Sequence, residues 1–236
     1  MRATVIAILF LPLLLGACVL VVDADDDDDG RYTDTWADAV DARGARFVEI
    51  DGEAGELVVR GGRGLADVRV EATARASSRR VLDDIRVTLS RRGDIVYVDA
   101  DVPPGLSFAE LDLVIEVPFA LTVIIDDTSG DVLVEHVGAV DVEDGSGDIV
   151  VRDIGGNVVI GDGSGEIGVY GVGGDVRVRE DGSGNIIVVD VDGSVLVEED
   201  GSGDIDVSNV AGDFTVERDG SGRIRYHGIG GRVRLP

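Results

Sequence analysis

The stretch Asp200-Gly201-Ser202-Gly203-Asp204-Ile205 is one copy of a phrase that recurs through the second half of this 236-residue chain. The close copies begin at Asp144, Asp162, Asp181 and Asp219, and a less perfect copy, Asp-Thr-Ser-Gly-Asp-Val, begins at Asp127. Successive serines of the phrase lie 17, 18, 19, 19 and 19 residues apart. Self-similarity at such a fixed period indicates a tandem array of structural repeats.

Between two copies of the phrase, apolar residues fall into columns when the repeats are aligned on their serines. In one repeat they are Ile186, Val188, Val191, Val195 and Val197. Each repeat therefore carries two short alternating strands, joined by glycine-rich corners, that share one apolar face. A single repeat cannot bury that face, whereas coils stacked about 4.8 Å apart bury a continuous core. The sequence predicts an all-β fold, a single-chain β-solenoid (β-helix) of stacked 17–19-residue coils.

Composition divides the chain into four segments. An early arginine and a short apolar run are typical of an export signal, and the aspartate block that follows is typical of an extended, solvated tether. Less regular alternating strands come next, with helical turns expected only at 37–43 and 77–84. The expected segments are a signal peptide (1–17), an acidic flexible tether (18–39), an irregular β N-terminal part of the solenoid (40–126) and the regular repeat solenoid (127–236).

The N-terminal apolar run ends in Leu15-Gly16-Ala17-Cys18, which resembles a bacterial lipobox. We expect cleavage after Ala17 and lipidation of Cys18, which is the only cysteine and so cannot form a disulfide within the chain. An ordinary signal peptide or a transmembrane anchor is the alternative. Because Val19 rather than an aspartate follows the cysteine, we expect a lipid-anchored envelope protein, at the outer membrane rather than the inner membrane.

The formal net charge is −26, and all 21 basic residues are arginines. Such a charge disfavours nucleic acid and anionic lipid headgroups as partners, and favours cations or basic partners. An enzyme acting on envelope polysaccharide would need converging carboxylates or aromatic platforms, but aromatic residues are scattered and make up only 4%. His136 and His227 are expected at outward positions of different coils. No catalytic constellation follows, and we expect no enzyme.

The first aspartate of the phrase forms an unbroken column. We expect its carboxylates to accept backbone N–H groups of the corner, which would offset a repulsion of ~1 kcal/mol between stacked neighbours at a water-like dielectric. Calcium is the alternative ligand, since acidic glycine repeats occur in calcium-binding β-rolls. The second acidic position drifts to Asn185 and Arg223, which disfavours an ion at every corner. The corner column is Asp127, Asp144, Asp162, Asp181, Asp200 and Asp219.

Some positions expected to face outward carry apolar side chains, and a flat solenoid face can bind a partner. We predict a contact patch there for a protein or glycan partner. Its residues are Val150, Val159, Ile187, Val189 and Leu196.

One further phrase, Val117-Pro118-Phe119-Ala120-Leu121-Thr122-Val123, connects the irregular strands to the Ser-Gly-Asp-Ile coils. Together these features resemble the bacterial putative-adhesin family of β-solenoid envelope proteins, over residues 40–236. The resemblance implies a right-handed solenoid with a binding, adhesion or structural role and supplies no catalytic residues. A calcium-dependent adhesin and a polysaccharide-acting enzyme are the alternatives.

Overall fold

The computed structural model describes residues 32–102 and 108–236. Helix α1 (Arg79–Leu82) is the only helix within these ranges, and all other regular elements there are strands. The strands of the N-terminal part are β1 (Tyr32–Asp41), β2 (Phe47–Asp51), β3 (Leu57–Gly62), β4 (Asp67–Ala76), β5 (Arg86–Arg92), β6 (Ile95–Asp101) and β7 (Ala109–Pro118). The strands of the repeats are β8 (Thr122–Asp127), β9 (Val132–Glu135), β10 (Ala139–Asp144), β11 (Ile149–Ile154), β12 (Val158–Asp162), β13 (Ile167–Val172), β14 (Val176–Asp181), β15 (Ile186–Val191), β16 (Val195–Asp200), β17 (Ile205–Val210), β18 (Phe214–Asp219), β19 (Ile224–Ile229) and β20 (Val233–Arg234).

The strands form two ten-stranded sheets, and each repeat contributes one strand to each sheet. Sheet A has the order β1-β4-β7-β3-β9-β11-β13-β15-β17-β19, and sheet B has the order β20-β18-β16-β14-β12-β10-β8-β2-β6-β5. From β8 onward all pairings are parallel and join equivalent positions of successive repeats, such as Ile186 with Ile205. The predicted β-solenoid is confirmed.

The core lies between the two sheets and consists of the predicted valine and isoleucine columns. Ile149, Ile167, Ile186 and Ile205 are all fully buried in consecutive coils of sheet A. Burying an isoleucine side chain contributes about 1.5–3 kcal/mol relative to exposing it. Stacking therefore stabilises the array, because each coil covers the apolar face of its neighbour.

The N-terminal part stacks its coils out of chain order. Strands β2 and β3 lie between the coil of β6 and β7 and the coil of β8 and β9. Antiparallel strands then close this end: β4 pairs with β7, β1 pairs with β4, and β5 pairs with β6. The strand edges of the parallel coils are thus covered at this end of the solenoid, which limits pairing with other chains.

Strand β1 corrects the predicted extent of the acidic tether. Residues 32–39 belong to an ordered strand that pairs along its whole length with β4, and the remainder, 18–31, lies outside the described residues. Tyr32, Trp36 and Val40 are spaced four residues apart along β1, and all three pack against the core. The helical turn expected at 37–43 is therefore wrong, whereas α1 confirms the turn expected at 77–84.

Candidate functional site

The first aspartate of each corner phrase lies inside the solenoid. It is the last inward-facing residue of its sheet B strand, as in β10, where Val140, Val142 and Asp144 point inward in turn. Parallel register stacks each aspartate on its equivalent in the next coil. The buried members, with relative exposures of 0–7%, form the inner aspartate ladder: Asp127, Asp144, Asp162, Asp181 and Asp200.

The ladder carboxylates are poorly satisfied. Oδ1 of Asp162 accepts the Ser164 N–H at 3.0 Å, and Oδ1 of Asp144 accepts the Ser146 N–H at 3.3 Å, as expected for a corner. The second oxygen of each has no hydrogen-bond partner in the described chain. Asp181 and Asp200 have no partner in hydrogen-bonding geometry for either oxygen, although the backbone N–H groups of Ser183 and Ser202 lie close enough to lower their pKa values. Buried polar atoms are normally hydrogen-bonded, so this column is exceptional.

Burial also changes the electrostatics expected from the sequence. Two carboxylates about 4.8 Å apart repel by about 1 kcal/mol in water but by about 3.5 kcal/mol at an effective dielectric of about 20. The repulsion of ~1 kcal/mol expected at a water-like dielectric is therefore wrong for this buried column. Burial, with the adjacent ladder charges adding to it, raises the pKa of Asp127 and Asp181 to about 7, and that of Asp144 and Asp200 to about 6.

The ladder ends toward the N-terminal part at a glycine. Gly52 occupies the equivalent place in the coil of β2, and its N–H donates to the Asp126 carbonyl at 2.8 Å. A Cβ added to Gly52 would meet Cγ of Asp127 at 3.0 Å, so the Asp127 carboxyl group fills the side-chain space of that coil. At the other end, Asp219 is partly exposed and is not counted in the buried ladder.

The second acidic position of the phrase has a different role, which sequence reasoning missed. Oδ1 of Asp131 accepts the Asp148 N–H at 3.0 Å, and Oδ1 of Asp148 accepts the Glu166 N–H at 2.9 Å. Asn185 accepts the Asp204 N–H in the same way at 3.0 Å. An amide oxygen serves this purpose as well as a carboxylate, which explains the drift to asparagine. The outer corner column comprises Asp131, Asp148, Glu166, Asn185, Asp204 and Arg223.

The predicted contact patch is divided between two faces of the solenoid. Val150, Ile187 and Val189 face outward from sheet A, whereas Val159 and Leu196 face outward from sheet B. The two strands of one coil belong to opposite sheets, so their outward residues do not share a surface. The single patch predicted from the sequence is therefore wrong.

Sheet A carries a continuous outward apolar stripe. Direct pairing places Val58 between Val114 and Leu133, and Val58 is only 5% exposed although it faces outward. Gly168 pairs with Val150 in the neighbouring strand. The Tyr170 ring covers Gly168 and occupies the space that a side chain would take there. The stripe runs across six adjacent strands and comprises Val114, Val58, Leu133, Val150, Tyr170, Ile187 and Val189.

Charged columns border this stripe on both sides. On one side is the outer corner column. Glu56 precedes this column in the neighbouring coil, two residues before Val58, where the next N–H, of Leu57, donates to the Asp131 carbonyl. On the other side Glu135 binds Arg60 at 3.2 Å and Arg152 at 2.5 Å. Hydrogen bonding to these arginines lowers the Glu135 pKa. The first border is net acidic, whereas the second is neutralised by ion pairs.

The outward face of sheet B is polar by contrast. Val159 lies between Asp141 and Arg177 in the neighbouring strands, and Leu196 lies between Arg177 and Thr215. The apolar residues on this face are thus separated from each other. Scattered apolar side chains of this kind are ordinary on a protein surface.

One corner outside the ladder brings together His136 and Asp153. Their side chains approach to 3.5 Å in an open cleft of about 540 Å³, where Arg63 lies 5.0 Å from the centre of the Phe119 ring. Both members of the pair are exposed, and His227 is exposed in another coil, so the predicted outward positions of the histidines are confirmed. Within 32–102 and 108–236, no group of His, Cys, Asp and Glu is arranged to hold a metal ion.

Ala17 and Cys18 lie outside the described residues, so signal cleavage and lipidation stay predictions. Across the part of the chain that is described, no helix is both long and apolar enough to cross a membrane.

Comparison with solved structures gives alignments with several bacterial proteins. A putative adhesin from Bacteroides fragilis aligns with a TM-score of 0.48 and 12% identity, over 86% of this chain and 97% of that one. A putative cell adhesion protein from Clostridium sporogenes aligns with a TM-score of 0.37 and 11% identity, over 86% and 100%. A putative lipid binding protein from Parabacteroides distasonis aligns with a TM-score of 0.39 and 12% identity, over 86% and 96%.

At these TM-scores and identities the alignments assign neither a family nor a role to this chain. At this level of identity the similarity concerns the fold and transfers no residue roles. No protein-family model matches the chain, and no curated protein matches it.

Proposed function

We propose that this chain is a non-catalytic binding module of the bacterial cell envelope, held at the membrane by a lipid on Cys18, that docks a protein partner along the outward apolar stripe. The observation that supports this proposal is the continuity of the stripe over six strands of sheet A. Val58 is buried, Tyr170 is exposed and the other members of the stripe are partly exposed, and a contiguous apolar patch at the surface of a protein marks an interaction site.

The borders of the stripe indicate the chemistry of the partner. The outer corner column presents exposed carboxylates along one side, at Asp131, Asp148 and Glu166. Glu135 on the other side is already paired with arginines. A fitting partner therefore has an apolar contact strip with basic residues along one edge. The net charge of −26 would accelerate its approach at low salt.

The test uses fluorescently labelled mature protein and envelopes from the producing bacterium. Ile187→Glu places a charge in the stripe, and Leu196→Glu is the matched control, because Leu196 is similarly half-buried on the opposite face. We expect saturable binding that falls at least tenfold in I187E and stays within twofold in L196E. We also expect weaker binding of the unaltered protein at 0.5 M NaCl, where the Debye length is only about 4 Å.

Equal binding by I187E and the unaltered protein would refute the docking surface. A concentration-dependent dimer that disappears in I187E, detected by sedimentation velocity, would instead identify a second copy as the occupant of the stripe. Both variants must retain the β-sheet circular dichroism spectrum of the unaltered protein.

The lipid anchor is tested separately by intact mass and membrane fractionation of the native protein. We expect a mass increase corresponding to acylation of Cys18 and recovery in the membrane fraction. Cys18→Ser should abolish both. An unmodified Cys18 thiol on a membrane-free protein would contradict the anchor but leave the docking surface unaffected.

A further inference from the structure

The inner aspartate ladder is a column of carboxyl groups without counter-charges. Among the described residues, the charged groups that act most strongly on it from neighbouring strands and corners are acidic. No arginine pairs with a ladder member within the described residues, although arginines pair with many surface carboxylates. The acidic groups facing the ladder are Glu53, Asp126, Asp131, Asp148 and Asp219.

Neighbouring ladder side chains also have oxygens available to each other. In-register pairing stacks Asp162 on Asp181 and Asp181 on Asp200, and most of these buried oxygens have no partner in the described chain. A carboxylate can only accept hydrogen bonds, so two ionised neighbours cannot satisfy each other. A carboxylic acid beside a carboxylate can, because its O–H donates to the neighbouring oxygen.

From this geometry we propose that the inner aspartate ladder is a proton-binding site, in which carboxylic acids and carboxylates of successive coils share hydrogen bonds along the solenoid axis. Each proton comes from solvent and converts one carboxylate to a carboxylic acid. Each bound proton makes the column less negative by one charge. The raised pKa values of the ladder agree with this geometry.

The surroundings favour a proton over a metal ion. Calcium takes six to eight oxygen ligands, whereas the backbone groups that approach Asp144 and Asp162 at the corners are N–H donors. An N–H dipole aimed at Oδ1 opposes a metal ion at that oxygen; it also lowers the pKa of the carboxyl group, so the proton is expected on the second oxygen, which receives no N–H. Within the described residues no arrangement suited to a metal ion is present.

The proposal has a directional consequence for stability. Protons bind the folded ladder more tightly than they bind the unfolded chain, where aspartate has its ordinary affinity. Stability from the ladder is therefore greatest below the unfolded pKa, near 4, and is lost as the pH rises through the folded values of about 6 and 7.

The direct test is a carbon NMR titration of the full mature chain labelled at the aspartate carboxyl carbon. We expect a small set of carboxyl signals to titrate between pH 5 and pH 8 while the surface aspartates titrate near pH 4. Asp181→Asn should remove one of these signals and shift those of Asp162 and Asp200. Asp175→Asn is the matched control and should leave all the ladder signals in place, because Asp175 lies at the opposite corner, where its Oδ1 accepts the Ser194 N–H at 2.8 Å.

Thermal unfolding from pH 5 to pH 8 gives a second readout. We expect Tm to fall with pH in the unaltered protein, and to fall less steeply in D181N than in D175N. If D181N fails to fold, Asp200→Asn and the titration of the unaltered chain still decide the matter. Titration of every aspartate near pH 4 would overturn the proposal. Ladder signals that shift with 5 mM CaCl2 or 150 mM NaCl at constant pH would also overturn it, in favour of a cation site.

Discussion

Replacing Gly184 by alanine should disrupt the stacking of two corners. Gly184 is the second glycine of its corner phrase and has φ = 151°, in a region that is essentially restricted to glycine. An alanine Cβ there would lie 2.5 Å from the carbonyl carbon of Gly165 in the preceding coil, whereas ordinary contacts begin at 3.4 Å. The carbonyl oxygen of Gly165 lies closer still, so the corners would have to separate by well over ~1 Å, which strains the 2.9 Å hydrogen bond from the Gly165 N–H to the Ser183 carbonyl.

The expected loss has two parts. Holding a non-glycine residue in this backbone region costs about 1–3 kcal/mol, and forcing extra volume into a packed site costs about 1–3 kcal/mol more. Gly64→Ala separates the two parts, because Gly64 also has a positive φ of 84° but an added Cβ meets nothing within 4 Å. We expect G184A to lower the free energy of unfolding by about 2–6 kcal/mol and G64A by about 1–2 kcal/mol.

The assay is urea denaturation monitored by far-ultraviolet circular dichroism, with hydrogen exchange at the Gly165 and Ser183 amides as a local measurement. Because repeat arrays can unfold in parts, the exchange data show whether the loss is confined to the altered corner. In G184A the protection of the Gly165 N–H should decrease most. If G184A destabilises the protein no more than G64A does, close stacking of the corners does not hold the coils in register.

Three further outcomes are expected. Ile186→Ala should lower the free energy of unfolding by about 2–5 kcal/mol because Ile186 is fully buried, whereas outward Ile187→Ala should lower it by less than about 1 kcal/mol, both measured by urea denaturation. Asp148→Ala should lower it by about 1 kcal/mol and Asp148→Asn by less, because only an oxygen acceptor retains the Glu166 N–H bond. Raising the pH from 4 to 8 should destabilise the protein by up to about 4 kcal/mol through Asp181 alone, because its pKa of about 7 lies above the unfolded value of 3.8, and Asp181→Asn should remove this part of the slope.

The repeat architecture was accessible from the sequence because spacing and alternation together determine which residues face inward. Period-two alternation places Ile186 and Val188 on one side of a strand, and the recurring serines align them with Ile205 and Val207 in the next coil. Those pairings are confirmed. The same pattern also places the corner aspartate inward in β10, where Asp144 follows Val140 and Val142 at the same parity. Reading it as a turn residue concealed this inward position.

The remaining differences concern features that periodicity does not encode. Alternation shows that Val150 and Val159 face outward, but the corner between their strands decides whether they share a surface. Strand β1 has few apolar residues, and its order depends on pairing with β4, which lies more than twenty residues away in the chain. The position of β2 and β3 between later coils likewise depends on long-range packing rather than on local sequence.

The chain itself shows why an acid in the inner ladder needs an explanation beyond corner geometry. Two other columns use side-chain oxygens to accept a backbone N–H of the next coil, and both tolerate neutral residues: Asn185 in the outer corner column, and Asn157 and Ser194 at the opposite corner. An asparagine could also stack in register and hydrogen-bond its own copies. The inner column nevertheless has aspartate in all six repeats, although it is the most buried of the three. Aspartate differs from asparagine in its charge, its second acceptor oxygen and its titratable proton, and the last of these makes the response of the ladder to pH differ from that of a structural corner.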